Sequence, residues 1–139
     1  MTLDDQSQNA EQYNKEALVK KTFAFDFAGV ISTYKGSFVS EETCAEDEPN
    51  QEVVNAIRLL HKKGHKIIVH STLQSSIIAE FCKKHDIPIT YINENPEFSQ
   101  GNPGKPVATV YIDDRAFNYS GQTTEELVEA LEKFKPYYK

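Results

Sequence analysis

No run of apolar residues in this chain approaches the ~20 that a membrane-spanning helix needs. The opening residues, Met1-Thr-Leu-Asp-Asp5, are acidic and lack the hydrophobic stretch of a secretory signal. Positive charge is scarce. Lys and Arg number 15 against 21 Asp and Glu, for a net charge of -6, which argues against a general nucleic-acid binder but not against one phosphorylated group held locally. Cysteine is scarce as well. Cys44 and Cys82 form no CxxC pair, and the four histidines do not fall at zinc-ligand spacing, so neither a disulfide scaffold nor a zinc centre is expected. The thiols read as free, in a reducing, cytoplasmic setting. No internal repeat and no low-complexity block is present.

What remains is a 139-residue chain, enough for one domain with a substantial core. Residues 1–20 are polar and read as a flexible or loosely docked segment, in which Tyr13, Ala17 and Leu18 can form one helical stripe. The domain is expected over 21–139. Thr22–Asp26 is a short apolar strand ending in an acid. Residues 28–48 form an irregular stretch, followed by a helix opened by Pro49-Asn50, with Val53, Val54, Ile57 and Leu60 at helical spacing and Gly64 at its end. Lys66–His70 is a nearly continuous apolar strand, as in a parallel sheet covered on both faces. A helix over Ser75–His85 and a strand over Ile87–Ile92 follow. A Pro/Gly loop leads to a strand over Ala108–Ile112. Thr123 and Glu126 make a capping box for a last helix with Leu127, Leu131 and Phe134 on one face. This order predicts an α/β fold, a doubly wound, mainly parallel sheet with ligands bound beyond the carboxyl ends of its strands.

The polar residues fall at those ends. Asp26 closes the first strand, Ser71 and Thr72 follow the second, and Asp113-Asp114 follow the last, with Lys105 in the loop before it. A parallel sheet brings such ends to one edge. Three carboxylates at short range repel one another unless a cation joins them. A hard divalent ion, most simply Mg²⁺, suits an all-oxygen set. Hydroxyl, ammonium and a helix N-terminus suit a phosphate. Gly29 permits the tight turn that exposes Asp26 above its strand.

The segments Phe23-Ala-Phe-Asp26-Phe-Ala-Gly29-Val30, Ile67-Ile-Val-His-Ser71, Lys105 and Val110-Tyr-Ile-Asp113-Asp114 resemble the four motifs of the haloacid dehalogenase (HAD) superfamily, in its compact, capless hydrolase form. The resemblance spans about residues 22–120. It implies that Asp26 is the nucleophile forming an aspartyl-phosphate and that Ser71, with Thr72, holds the phosphoryl oxygens. It implies further that Lys105 neutralises charge on Asp26 and the phosphate, and that Asp113, with Asp114, holds Mg²⁺ beside Asp26 and the Ala28 carbonyl. The partner is then a phosphorylated substrate at an open site, with a homo-oligomer also conceivable.

Two departures stand out. Ala28 occupies the place of the acid that protonates the leaving group, a contribution of roughly 10²–10⁴ in rate. Several readings follow: a slow or altered phosphohydrolase, an inactive phosphate- or partner-binding module, an engineered acid-to-alanine variant, or a phosphonoacetaldehyde-hydrolase-like enzyme using Lys35. His70 as a substitute base is a further option, although strand alternation beside Ser71 points it to the opposite face. Thr72-Leu73-Gln74 stand where the compact subgroup carries an arginine. Residues 30–48 are too few for a cap and allow a flap turning at Thr33–Gly36, with Tyr34 and Phe38 near substrate. The chain order of the acids, one first and a pair last, argues against a response-regulator receiver.

Overall fold

The computed structural model describes residues 20–34, 40–98 and 104–137. The expectations for Tyr13, Ala17 and Leu18, for Lys35 and for Phe38 lie outside them. Four strands, β1 (Thr22–Asp26), β2 (Lys66–His70), β3 (Tyr91–Ile92) and β4 (Val110–Ile112), alternate with helices α1 (Glu41–Ala45), α2 (Gln51–Lys62), α3 (Ser75–Lys84) and α4 (Thr124–Lys133). The sheet is parallel throughout, in the order β3-β2-β1-β4. The chain winds outward from β1 through β2 to β3, then returns to add β4 on the other side of β1. This is the doubly wound α/β architecture expected, with no cap domain among the described residues. The switch in direction opens a crevice between the carboxyl ends of β1 and β4.

The two faces of the sheet are built differently. Phe25 of β1 and Ile67 and Val69 of β2 pack on Val54 and Ile57 of α2 and on Ile78, Phe81 and Cys82 of α3. Phe27 joins them and meets Phe81 edge to face, ring centroids 4.9 Å apart. Helices form there because apolar side chains recur at helical spacing. Gly64, at φ 90°, stops α2 just beyond Lys63, and the basic residues His61, Lys62, Lys83 and Lys84 complete the last turns of α2 and α3. The opposite face carries Ala24, Ile68 and Tyr111. Among the described residues it meets the connection from β3 to β4 and no packed helix. The Tyr111 hydroxyl donates to the Pro106 carbonyl (2.7 Å) and accepts from the Ala108 N–H (3.2 Å), and the Asn95 amide donates to the Val107 carbonyl (2.8 Å).

Strands β1 and β2 have the expected bounds. Strand β3 is shorter than expected, because Pro88 has no N–H for the ladder and the Ile87 N–H closes the end of α3 on Cys82. Strand β4 is also shorter. The Ala108 N–H turns aside to Tyr111, and Thr109 bonds the backbone of Thr22. Helix α1 arises in the stretch read as irregular, where the Ser40 hydroxyl accepts from the Thr43 N–H. The Thr123–Glu126 capping box forms as expected. Its helix, however, buries no residue fully: Val128 is 51% and Leu131 49% exposed, and Phe134 ends the helix against Phe117. Cys44 and Cys82 are buried, and no disulfide joins them. No helix among the described residues is long and apolar enough to cross a membrane.

Candidate functional site

Asp26 is the last residue of β1, so its side chain stands at the carboxyl edge. The chain then turns sharply: the Phe27 carbonyl accepts from the N–H groups of Val30, Ile31 and Ser32. Gly29 makes the turn at φ 86°. A side chain there would also collide with the neighbouring carboxylate, since an added Cβ would lie 2.6 Å from Asp114 Oδ2. Glycine is therefore required twice over, by backbone conformation and by the acid it admits.

Strand β4 delivers that acid. Asp113 and Asp114 follow Ile112, whose register partner on β1 is Phe25, so the pair arrives beside Asp26. Ligand-capable oxygens of Asp26, Asp113 and Asp114 all lie within 4.8 Å of one another. Burial pushes the Asp26 carboxyl up to about 8, with the negative charge of Asp113 and the close approach of Asp114 adding to the effect. The Phe27 N–H works the other way. Both Asp114 oxygens are buried, and among the described residues no N–H or hydroxyl donor meets them. What Asp114 meets is Asp26 itself, whose carboxyl it helps to push up. A carboxylate buried without donors is the mark of a site that fits a hard cation.

Asp26 and Asp113 line a cavity of about 740 Å³ together with Ala28, His70, Ser71 and Thr72, among others. Ser71 is fixed at both ends. Its N–H donates to Asn93 Oδ1 (2.7 Å), and its Oγ accepts from the Leu73 N–H (3.1 Å). With that lone pair engaged, the Ser71 O–H is left to donate. Helix α3 begins only at Ser75, with Gln74 as its N-cap, so Ser71 caps a turn rather than the helix. Thr72 lies exposed at the rim.

His70 corrects one expectation. Alternation along a strand predicts opposite faces for His70 and Ser71. Strand β2 ends at His70, however, and Ser71 has left the pleat. His70 pairs in register with Asp26, shares its face, and lines the cavity with a buried Nε2 that meets no hydrogen-bond partner among the described residues. Burial holds its pKa below the ordinary value; Lys105 pushes the same way and Asp113 opposes.

Lys105 also differs from expectation. Its neighbours Gly104 and Pro106 line the cavity, yet its ammonium rests over the Tyr111 ring, 4.4 Å from the centroid, and forms no ion pair with Asp26, Asp113 or Asp114. The electron-rich face of the ring holds the cation there. Sequence reading missed Asn93, Tyr111 and Arg115 as site residues. Asn93 adopts φ 58°, a conformation that asparagine tolerates, and its place directly after β3 was the available signal. Arg115 lines the same cavity.

No family model matches the chain, and no curated protein matches it. A solved structure, a conserved protein from Bacteroides thetaiotaomicron, is similar at a TM-score of 0.54 and 24% identity, over 83% of this chain and 91% of that one. At that identity the likeness establishes the α/β fold of the chain and nothing about its chemistry.

Proposed function

We propose that this protein is a HAD-like, Mg²⁺-dependent phosphohydrolase that works through an aspartyl-phosphate on Asp26, with a site weakened by Ala28. The observation that carries this reading is the meeting of Asp26, Asp113 and Asp114, whose buried carboxylate oxygens meet no donor among the described residues, beside the cavity that Asp26, Asp113 and Ser71 line. In this reading the ionised Asp26 attacks phosphorus. Ser71 donates its hydroxyl to a phosphoryl oxygen from a fixed position. Lys105, on a long flexible stem, leaves Tyr111 for the more negative phosphoryl group. Asp113 and Asp114 would hold a divalent ion beside Asp26, and such an ion would supply the positive charge that lets the three acids ionise together and offsets charge on the phosphoryl oxygens. Positioning and charge neutralisation are what phosphoryl transfer mainly requires. The cavity has no cap among the described residues, so bulky phosphorylated substrates fit the reading.

Mg²⁺-dependent release of p-nitrophenol from p-nitrophenyl phosphate tests it, in this chain and in Ala28→Asp. We expect slow turnover by the chain, a gain of about 10²–10⁴ on restoring the acid, and loss of both in Asp26→Asn. Unchanged turnover in Asp26→Asn rejects the nucleophile. A second reading, a phosphate-binding module without turnover, draws on Ala28 and on the Lys105 ammonium lying against Tyr111 instead of Asp26. Phosphate binding with no activity in either protein would favour it.

A further inference from the structure

The edge of the sheet opposite the acids carries most of the chain's positive charge. In a parallel sheet the strand starts and the ends of the preceding helices meet at one edge. Lys20 and Lys21 lead into β1, Lys66 opens β2, and α2 and α3 end in Lys62-Lys63 and Lys83-Lys84. With Arg58, that gathers eight of the 15 lysines and arginines there, in a chain of net charge -6. Backbone contacts tie the group together. The Lys20 ammonium donates to the Lys63 carbonyl, and the Lys21 N–H donates to His65 Nδ1 (3.0 Å). The Arg58 guanidinium donates to the carbonyls of His85 (2.9 Å) and Asp86 (3.3 Å), so the ends of α2 and α3 lie side by side. Burial, and after it the charges of Lys20, Lys21 and Lys63, hold the His65 pKa below its ordinary value. Cations at helix ends offset the helix dipole. Lys20 and Lys21 precede a strand, whose dipole is small. Crowding them against Lys63 is unfavourable, and an anion relieves it.

We infer that the anion is helix α4 of a second copy of this chain, docked head to tail on the basic edge. The two surfaces are mixed in matching ways. On α4, Glu125, Val128 and Glu132 recur at helical spacing with Leu131 beside them, and all four are exposed. On α2, Leu59 is 53% exposed and stands one turn before Lys62 and Lys63, both exposed. Carboxylates flanking aliphatic side chains thus face ammonium groups flanking an aliphatic side chain. Apolar contact supplies attraction that salt does not screen, while the charges choose partner and orientation. A long polyanion suits the edge less well. The exposed charges are mainly lysines, without the fork by which arginine grips phosphate, and Arg58 is turned to backbone carbonyls. The rest of the molecule is strongly acidic and repels a strand that runs past the edge. Because the two surfaces differ, the contact is heterologous, and a dimer keeps one of each free to grow into a ring or an open array.

Sedimentation velocity of the full chain at rising concentration tests this, in about 0.1 M and about 1 M NaCl, where the screening length falls from about 10 Å to about 3 Å. We expect the mean mass to rise past that of a dimer, and the dissociation constant to grow by about tenfold or more in the higher salt. Both readouts use the parent chain and need no variant to fold. Lys62→Glu with Lys63→Glu reverses one surface, and Glu125→Lys with Glu132→Lys reverses the other. Each variant alone should stay monomeric where the parent associates, and an equimolar mixture of the two should associate again. A parent that stays monomeric up to about 1 mM in the lower salt overturns the inference. So does association that salt leaves unchanged, or a mixture of the two variants that stays monomeric. Association kept in the lysine variant and lost in the glutamate variant means that α4 pairs with α4, and overturns it too. A monomeric parent that instead retards a polyuridine strand, with the effect lost in the lysine variant, gives the edge to a nucleic acid and removes the self-association.

Discussion

The face of the sheet under α2 and α3 is dry, aromatic and aliphatic, whereas the face under the β3–β4 connection carries Asp26, His70 and Tyr111. On the first face side chains interlock, and each owes its position to its neighbours' shape. On the second, hydroxyl and amide groups pin a loop, and an ammonium rests on a ring. Burial of apolar area makes the first face the main source of stability. The second keeps charged groups half in water, where their environment can adjust when a ligand arrives. Charge sits on the side that is held less tightly.

The largest expected effect breaks the first face. Phe27→Ala removes a fully buried ring that meets Phe81, and should cost about 3–5 kcal/mol in urea unfolding. Its effect on Mg²⁺ affinity in the protein that remains folded should be small by comparison. If the two faces were equally coupled to the site, affinity would collapse with stability.

Gly29→Ala attacks the seam between them. The positive φ alone should cost about 1–3 kcal/mol, and the new Cβ must displace Asp114. Calorimetric titration should therefore show weaker binding of Mg²⁺ than in the parent chain. Unchanged affinity would mean that Asp114 is not a ligand.

Tyr111 tests the second face. Tyr111→Phe keeps the ring under Lys105 and loses the hydroxyl that holds Pro106 and Ala108, for about 1 kcal/mol of stability. Tyr111→Leu loses the ring as well, roughly 0.5–1 kcal/mol more. That extra loss should vanish in a Lys105→Ala background, since the two residues are in contact. Persistence there would show that the ring acts through packing and not through the cation.

The smallest effect sharpens the comparison through pH. Because the Asp26 pKa is raised in the folded state, the native protein binds more protons than the unfolded chain between 3.8 and about 8. Stability must therefore fall as pH rises through that window. His70 has the opposite sign below its ordinary value of 6.5, where the unfolded chain takes up a proton that the buried ring resists. The Asp26 signature is thus cleanest from about pH 6.5 to 8. In metal-free protein, Asp26→Asn should be more stable than the parent at pH 8 by about 1 kcal/mol, once solvent screening is allowed for. Saturating Mg²⁺ should reverse the order. Equal melting temperatures at pH 8 with chelator present would show that the three acids do not strain one another.

Much of this was legible in the chain itself. The bounds of β1 and β2, the stop at Gly64, the capping box and the convergence of Asp26 with Asp113 and Asp114 follow from short-range rules. Apolar runs seek burial, glycine admits left-handed turns, and parallel strands carry their last residues to one edge. Side chains whose direction depends on a partner far along the chain were not legible. His70 faces the cavity because β2 ends where it does. Asn93 holds Ser71 because β3 stops one residue before it. Lys105 lies on Tyr111 because the connection doubles back over β4. Periodicity and local propensity are set by neighbours a few residues away, and those the sequence alone determined. Where an ammonium rests, which carboxylate meets no donor, and which imidazole shares a face with Asp26 are set by contacts across the sheet, and only the tertiary structure decided them.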